Sequence, residues 1–448
     1  MFRKVLILMA IVLVVSASEV EAVVIDSNWV GGEIGCWCDP CNWEPPIVPD
    51  NNDPNTFVVT IDSNYAGVDR VEVSLQQSRT INRLYTYGDV QLYVPDWEDA
   101  PSCSTIMFTV LESSNGLTNY GMFEVDQQKH REIEINGDVT NTAEAEIWLS
   151  ETDINGNVYN ESNGVMDIEY ECSIRNNVEN AGTMNIWGPV VELWVDNTLH
   201  NDGLINLFSA DLGSNVIIND SNGVIQGFGN FGVEDENNLL QNKGAIYASG
   251  GSLFISTEDS HFLNTGVLVQ KPSSSLHIKP AVDVNNQGTI QAHSGGGVAF
   301  DCNLVNDTNG IIELLGGTLA AKSITQSADA NFAGFGGISV TDEILIKSGA
   351  KIELTGPTNI VGDVNIPASA TLEISDGITL VTGHTTNNGT IHMKGGRLIP
   401  QGGITNNGNI IWEPGLYNNV ADFNLDGKVN FKDFGDFANT WLWQATWY

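Results

Sequence analysis

Basic residues are scarce in this chain: Lys and Arg total 18 against 56 Asp and Glu over 448 residues, a formal net charge of −38. That imbalance excludes nucleic acid and anionic lipid as natural partners, since both are held by a basic footprint. Long apolar runs are missing too. The longest, "VLILMAIVLVV" near the start, has eleven residues, short of the ~20 a membrane-crossing helix needs. With Arg3 and Lys4 before it and Val20 and Ala22 after it, the run reads as a signal peptide, residues 1–22, cleaved after Ala22. Export to the cell surface or the medium is therefore expected, with no membrane span left in the mature chain. Cleavage removes Arg3, Lys4, Glu19 and Glu21, so the net charge is unchanged. The acidic surface is read as a device for solubility.

Charged residues of both signs make up only 17% of the chain while Gly reaches 46 positions. Such a composition suits many short strands joined by tight turns and disfavours helices. Cysteine is limited to Cys36, Cys38, Cys41, Cys103, Cys172 and Cys302. In an exported protein these are expected to form disulfides rather than a metal site. The cluster "CWCDPC" has no histidine nearby to complete a zinc set. Its pairing is not decided by spacing.

What the chain has in plenty is one repeated phrase. It occurs as "NAGTMNI" (180–186), "NDGLINL" (201–207), "NKGAIYA" (242–248), "NTGVLVQ" (264–270), "NQGTIQA" (286–292), "NNGTIHM" (387–393) and "NNGNIIW" (406–412). Related phrases place glycines at Gly164, Gly223 and Gly310, so successive glycines from Gly164 to Gly310 lie 18 to 22 residues apart; the phrase fades between Gly310 and Gly389, where "GAKIEL" (349–354) and "SATLEI" (369–374) keep the strand pattern. One strand per period of about 20 residues, always after an Asn-x-Gly turn, is the mark of a stacked solenoid. Apolar residues two and four places after the glycine, such as Ile205 and Leu207, are predicted to point inward. Further strands in each period, as in "GSLFIS" (251–256) and "SLHIK" (275–279), predict an all-β parallel β-helix over residues 141–415 with about 20–22 residues per coil. The recurring asparagines are expected to stack and hydrogen-bond along the axis, and the glycines to supply left-handed or otherwise strained turn positions. This region resembles the right-handed parallel β-helix proteins exported by bacteria, including Gly- and Asn-rich adhesin and autotransporter-like families. The resemblance implies an architecture and no particular activity.

Residues 23–140 lack the phrase but carry alternating strands such as "FVVTI" (57–61) and "VQLYV" (90–94). They are expected to form an N-terminal β cap, with Trp29, Trp37 and Trp43 shielding the first coil in preference to stacking on a sugar.

The tail, residues 420–448, carries the sharpest chemical pattern. Asp422, Asn424 and Asp426 stand at positions one, three and five of a twelve-residue calcium loop, with Gly427 at six, Lys428 at seven, Asn430 at nine and Asp433 at twelve. Lys428 would contribute only its backbone carbonyl. Phe434, Phe437, Ala438, Trp441 and Leu442 then follow the spacing of one apolar helix face. Loop and helix together resemble one repeat of the type I dockerin family, which implies calcium as the ligand and a cohesin-like or other surface protein as the partner. One repeat stands here where the family has two. Its apolar face has three fitting occupants: the last coil near "IIWEPG" (410–415), another chain, or a surface receptor. A weaker calcium pattern, Glu151, Asp153 and Asn155 before Gly156, lacks the closing carboxylate and reads as a polar turn.

No residue is singled out as catalytic. Sugar hydrolysis needs two carboxylates facing across a substrate and uronate lyases need a base, whereas the carboxylates at Asp167, Glu169 and Glu171 and at Glu132 and Glu134 alternate as on the solvent side of strands. The sequence thus predicts a non-catalytic extracellular scaffold or adhesin held by a calcium-binding tail. A polysaccharide-degrading β-helix enzyme is the alternative.

Overall fold

The computed structural model describes residues 23–51, 55–95, 106–111, 116–127, 133–188, 192–233, 239–257, 261–280, 283–413 and 435. The signal segment, Cys103 and the calcium-loop positions 422–433 lie outside these residues. The chain is all-β, 67% strand and 2% helix, and forms a parallel β-solenoid of about fifteen turns. Two compact units divide it, Met1–Val305 with Gly317–Ala321 and Asn306–Gly316 with Lys322–Tyr448. Among the described residues no helix is long and apolar enough to cross a membrane.

In the first unit each coil presents three strands to three separate stacks. One stack, called here the asparagine face, runs upward in parallel from Val24–Trp29 through Thr56–Asp62, Arg83–Tyr87, Leu117–Asn119 and Val139–Asn141. The second face stacks Arg70–Ser74, Asp89–Val94, Met122–Gln127, Glu146–Ser150 and Val165–Glu169. The third includes Thr152–Ile154, Cys172–Ile174 and Glu192–Asn201. Parallel stacking is therefore present from Val24 onward, below the first repeat phrase. Alternation along each strand explains the core. In Thr183–Trp187, Met184 and Ile186 are fully buried while Thr183, Asn185 and Trp187 face outward. Each inward residue stacks on its equivalent in the next coil, as Met166, Met184 and Ile205 do.

The asparagines form a continuous buried ladder. From Asn119 through Asn141, Asn160, Asn180, Asn201, Asn219, Asn242 and Asn264 to Asn286, each side-chain amide donates to the carbonyl oxygen of the next at 2.7–2.9 Å. Spare amide hydrogens go to turn carbonyls, such as Asn160 Nδ2 to Thr183 O at 3.0 Å. Every polar atom buried in this column thus finds a partner, which is what makes its burial affordable. At the lower end Thr86 Oγ1 donates to Asn119 at 2.9 Å. Asn141, Asn160 and Asn219 belong to the column although their turns depart from the repeat phrase, and Asn119 opens a full copy of it, "NYGMFEV" (119–125), within the region 23–140 expected to lack it. In the second unit Asn306 donates to Gln326 at 2.8 Å, Ile346 and Ile366 then occupy the column, and the ladder resumes between Asn387 and Asn406 at 2.6 Å.

The repeat glycines correct one expectation. They are not left-handed; among the repeat turns, positive φ falls on Asn163 at 68° and Asn309 at 65° in the altered ones. Glycine is needed because a Cβ would have no room. Built on Gly203 or Gly266, it would stand 2.1 Å from the carbonyl oxygen of Gly182 or Gly244 in the coil below. The turns pile directly on one another, and a side chain there would push the coils apart.

Trp29, Trp37 and Trp43 are buried, packed edge to face at 5.1 and 4.8 Å, with Trp37 also against Phe108 at 5.4 Å. Their indole N–H groups donate to the carbonyls of Gly32, Pro49 and Trp37. These rings therefore offer no face to a sugar. Cys36 and Cys38 form a disulfide, while Cys41 is free and exposed and Cys172 and Cys302 are free and buried.

Candidate functional site

The third face of the first unit carries an open hollow of about 520 Å³ whose lining includes Glu151, Asp153, Glu171, Ser173, Arg175, Glu192, Trp194 and Asp196. A shallower hollow of about 250 Å³ continues from Glu192 and Trp194 over Asp211, Gly213, Asn230 and Ser256. Trp194 joins the two. Strand alternation puts these side chains outside: Leu193 and Val195 are fully buried in the core, so Trp194 between them must project. Register then aligns the outward residues in columns, Asp153 beside Ser173 and Ser173 beside Trp194, with Gly213 next. Over six coils at about 4.8 Å per coil the groove spans roughly 25 Å.

Trp194 lies across Gly213. A Cβ on that glycine would stand 2.2 Å from the six-membered ring of the indole. The missing side chain lets the ring lie low, forming a floor in place of a wall. Arg175 ties the coils on one side of it: its guanidinium is 3.7 Å from Asp153 Oδ2 and 3.9 Å from Asp196 Oδ2. Ser173 donates to the other oxygen of Asp153 in a short hydrogen bond. These two carboxylates are held by a cation between them, and they do not face each other across an empty cleft. Cys172 lines the hollow from beneath, where burial pushes its thiol up to about 12. It stays protonated at neutral pH and is no nucleophile.

The segment read as a weak calcium loop therefore has another place. Asp153 and Glu151 line the groove, while Asn155 donates to Glu134 in a short bond and to Asn136 Oδ1 at 2.8 Å. Among the described residues no group of three or more His, Cys, Asp or Glu side chains is arranged to hold a metal ion. The carboxylates expected on solvent faces need one correction. Asp167 is on the outward side yet only 6% exposed, because Trp187 Nε1 and Asn185 Nδ2 both donate to it at 2.9 Å. The positions Asp422, Asn424, Asp426, Lys428, Asn430 and Asp433 lie outside the described residues.

Trp194 and Arg175 were not legible as a site before the coils were stacked. The available signal was a large aromatic at an outward position of "VVELWVDN" (190–197), which alternation alone marks as unusual. What brings it to Arg175 is the register between coils that sets Trp194 beside Ser173, which no local pattern contains.

Stacked coils define this chain as a parallel β-solenoid with an outer groove. Comparisons with family models, with curated proteins and with solved structures each found no match to it.

Proposed function

We propose that this protein is an exported, non-catalytic scaffold or adhesin that binds polysaccharide along its third face and is held in place by a calcium-loaded tail. The observation that carries the reading is Trp194, an outward indole seated over Gly213 on the floor of a groove rimmed by carboxylates and one guanidinium. An aromatic plane covers the C–H face of a sugar ring, while charged side chains at the rim exchange hydrogen bonds with its hydroxyls. The groove is open and extended, as a chain ligand requires, and its five lining carboxylates Glu151, Asp153, Glu171, Glu192 and Asp196 against Arg175 disfavour uronate-rich chains. Adhesion is favoured over hydrolysis because Asp153 and Asp196 are both paired with Arg175.

Neutral polysaccharides are expected to retard the mature chain in affinity electrophoresis, and Trp194→Ala to weaken that binding about tenfold, equivalent to ~1.4 kcal/mol. Thermal melts of the variant establish that the coils remain folded. If no glycan of a broad panel binds, or if Trp194→Ala binds as well as wild type, the adhesive reading is wrong.

The attachment half of the proposal rests on the ligand pattern of the tail. Calcium is expected to bind the full mature chain at one site, and the double change Asp422→Ala with Asp426→Ala to abolish it, since the remaining oxygens cannot surround the ion. Titration calorimetry reads this directly. Saturating calcium with no heat in the wild type would remove the attachment role and leave the groove untouched.

A further inference from the structure

The core of the last described coil is uncovered. On the asparagine face one inward column runs Val364, Thr385, Ile404, and exposure along it goes from 2% and 0% to 37%. On the second face Leu372, Ile391 and Ile410 go from 1% and 0% to 38%, and Ile374, Met393 and Trp412 from 0% and 4% to 49%. The residues change little in chemistry from coil to coil. What changes is that no further coil lies above Ile404, Ile410 and Trp412 among the described residues. Strands Ile404–Asn406 and Asn409–Trp412 also form the upper edge of their stacks. An apolar cross-section with a free parallel edge invites pairing with other chains unless something covers it.

We infer that the chain's own tail covers it, with Phe434, Phe437, Trp441 and Leu442 packed as one helix face onto Ile404, Ile410 and Trp412. Three observations select this occupant. The apolar spacing of the tail fits one helix face, and that face needs a partner as much as the coil does. The 20 residues between Glu413 and Phe434 can reach across the coil, because extended chain spans about 3.3 Å per residue. A tethered segment acts at an effective concentration in the mM range, whereas a second copy must bring its own charge of −38 against this one. A helix, unlike a strand, also ends the sheet without extending it.

The inference requires only the apolar helix face, so it stands or fails apart from both sugar binding and calcium binding. In the docked state the helix face is taken up by the solenoid, and the loop side of the tail is what remains for a surface partner.

Hydrogen exchange on the full mature chain tests it. Amides of residues 404–412 are expected to exchange at least tenfold faster in the variant Phe437→Asp with Trp441→Asp than in the wild type. Amides of the asparagine ladder in the first unit should be unchanged, which shows that the variant is folded. Asp436→Ser, outside the apolar face, should leave residues 404–412 protected. Equal exchange in wild type and double variant would overturn the proposal, as would protection that falls on dilution, which would identify a second copy as the cover.

Discussion

Replacing Asn201 by Asp is expected to destabilise the solenoid by about 3–5 kcal/mol, the cost of an uncompensated buried charge. Asn201 is fully buried, accepts from Asn180 at 2.7 Å and donates to Asn219 Oδ1 at 2.8 Å, with longer bonds to the carbonyls of Gly203 and Val224. An aspartate retains the shape and loses every donor. Its second oxygen would face three oxygen acceptors in a place water does not reach. Asn201→Leu removes the charge from the problem but still orphans the Asn180 amide and the Asn219 oxygen, at about 1–3 kcal/mol for each such group. Chemical denaturation of both variants checks the order. Equal stability of Asn201→Asp and wild type would mean that the ladder contributes nothing.

The second unit contains the natural control. Ile346 and Ile366 hold two consecutive places between Gln326 and Asn387 in that unit's own column and are buried at 0%. At the two ends of this gap backbone groups take over: Gln326 Nε2 donates to the carbonyls of Ser327 and Ala330, and Asn387 Oδ1 accepts from the Gly389 N–H. Single replacement within the unbroken run of nine asparagines leaves polar atoms exposed to nothing on both sides.

Ile290→Asp is expected to cost about 4 kcal/mol or more, through loss of buried apolar area and burial of a charge without a partner. Ile290 is 1% exposed and stacks on Leu268 in the coil below. Its neighbour Gln291 is half-buried on the outward side, and Gln291→Asp should stay within about 0.5 kcal/mol of the wild type. Thermal melts of the pair measure the difference between inside and outside at two adjacent positions. Equal losses would contradict the alternation on which every coil depends.

The repeat phrase carried most of the fold because solenoids translate local rules into architecture. Met184 and Ile186, or Ile205 and Leu207, could be placed inside from their distance to the preceding glycine alone, and both pairs are buried. The asparagine stack was equally legible at Asn180, Asn201, Asn242, Asn264 and Asn286. It was not legible at Asn141, Asn160 and Asn219, where the turn after the asparagine changes length or loses its glycine at the usual place, whereas Asn119 stands in an unaltered phrase, "NYGMFEV" (119–125), below the region read as repeats. Stacking of the backbone holds those side chains in line even when the local phrase is altered. Glycine shows the reverse. Its recurrence was plain, but the reason for it, contact between turns of successive coils, becomes apparent only when Gly203 sits on the carbonyl of Gly182.

Composition, period and alternation by themselves determined the all-β class, the coil length and which residues of each phrase are buried, because these follow from one chain segment meeting its own repeat. The groove was decided by tertiary structure alone. Trp194, Gly213, Arg175 and Asp153 come from different coils, and none of them marks a site within its own coil. Only the register of parallel stacking brings the indole over a glycine and a guanidinium between two carboxylates. The uncovered edge of the last described coil is likewise invisible in the phrase "NNGNIIW", which reads like every other repeat. Ile410 and Trp412 become exposed because burial in a solenoid is given by the next coil, and a residue's own sequence cannot state whether one follows.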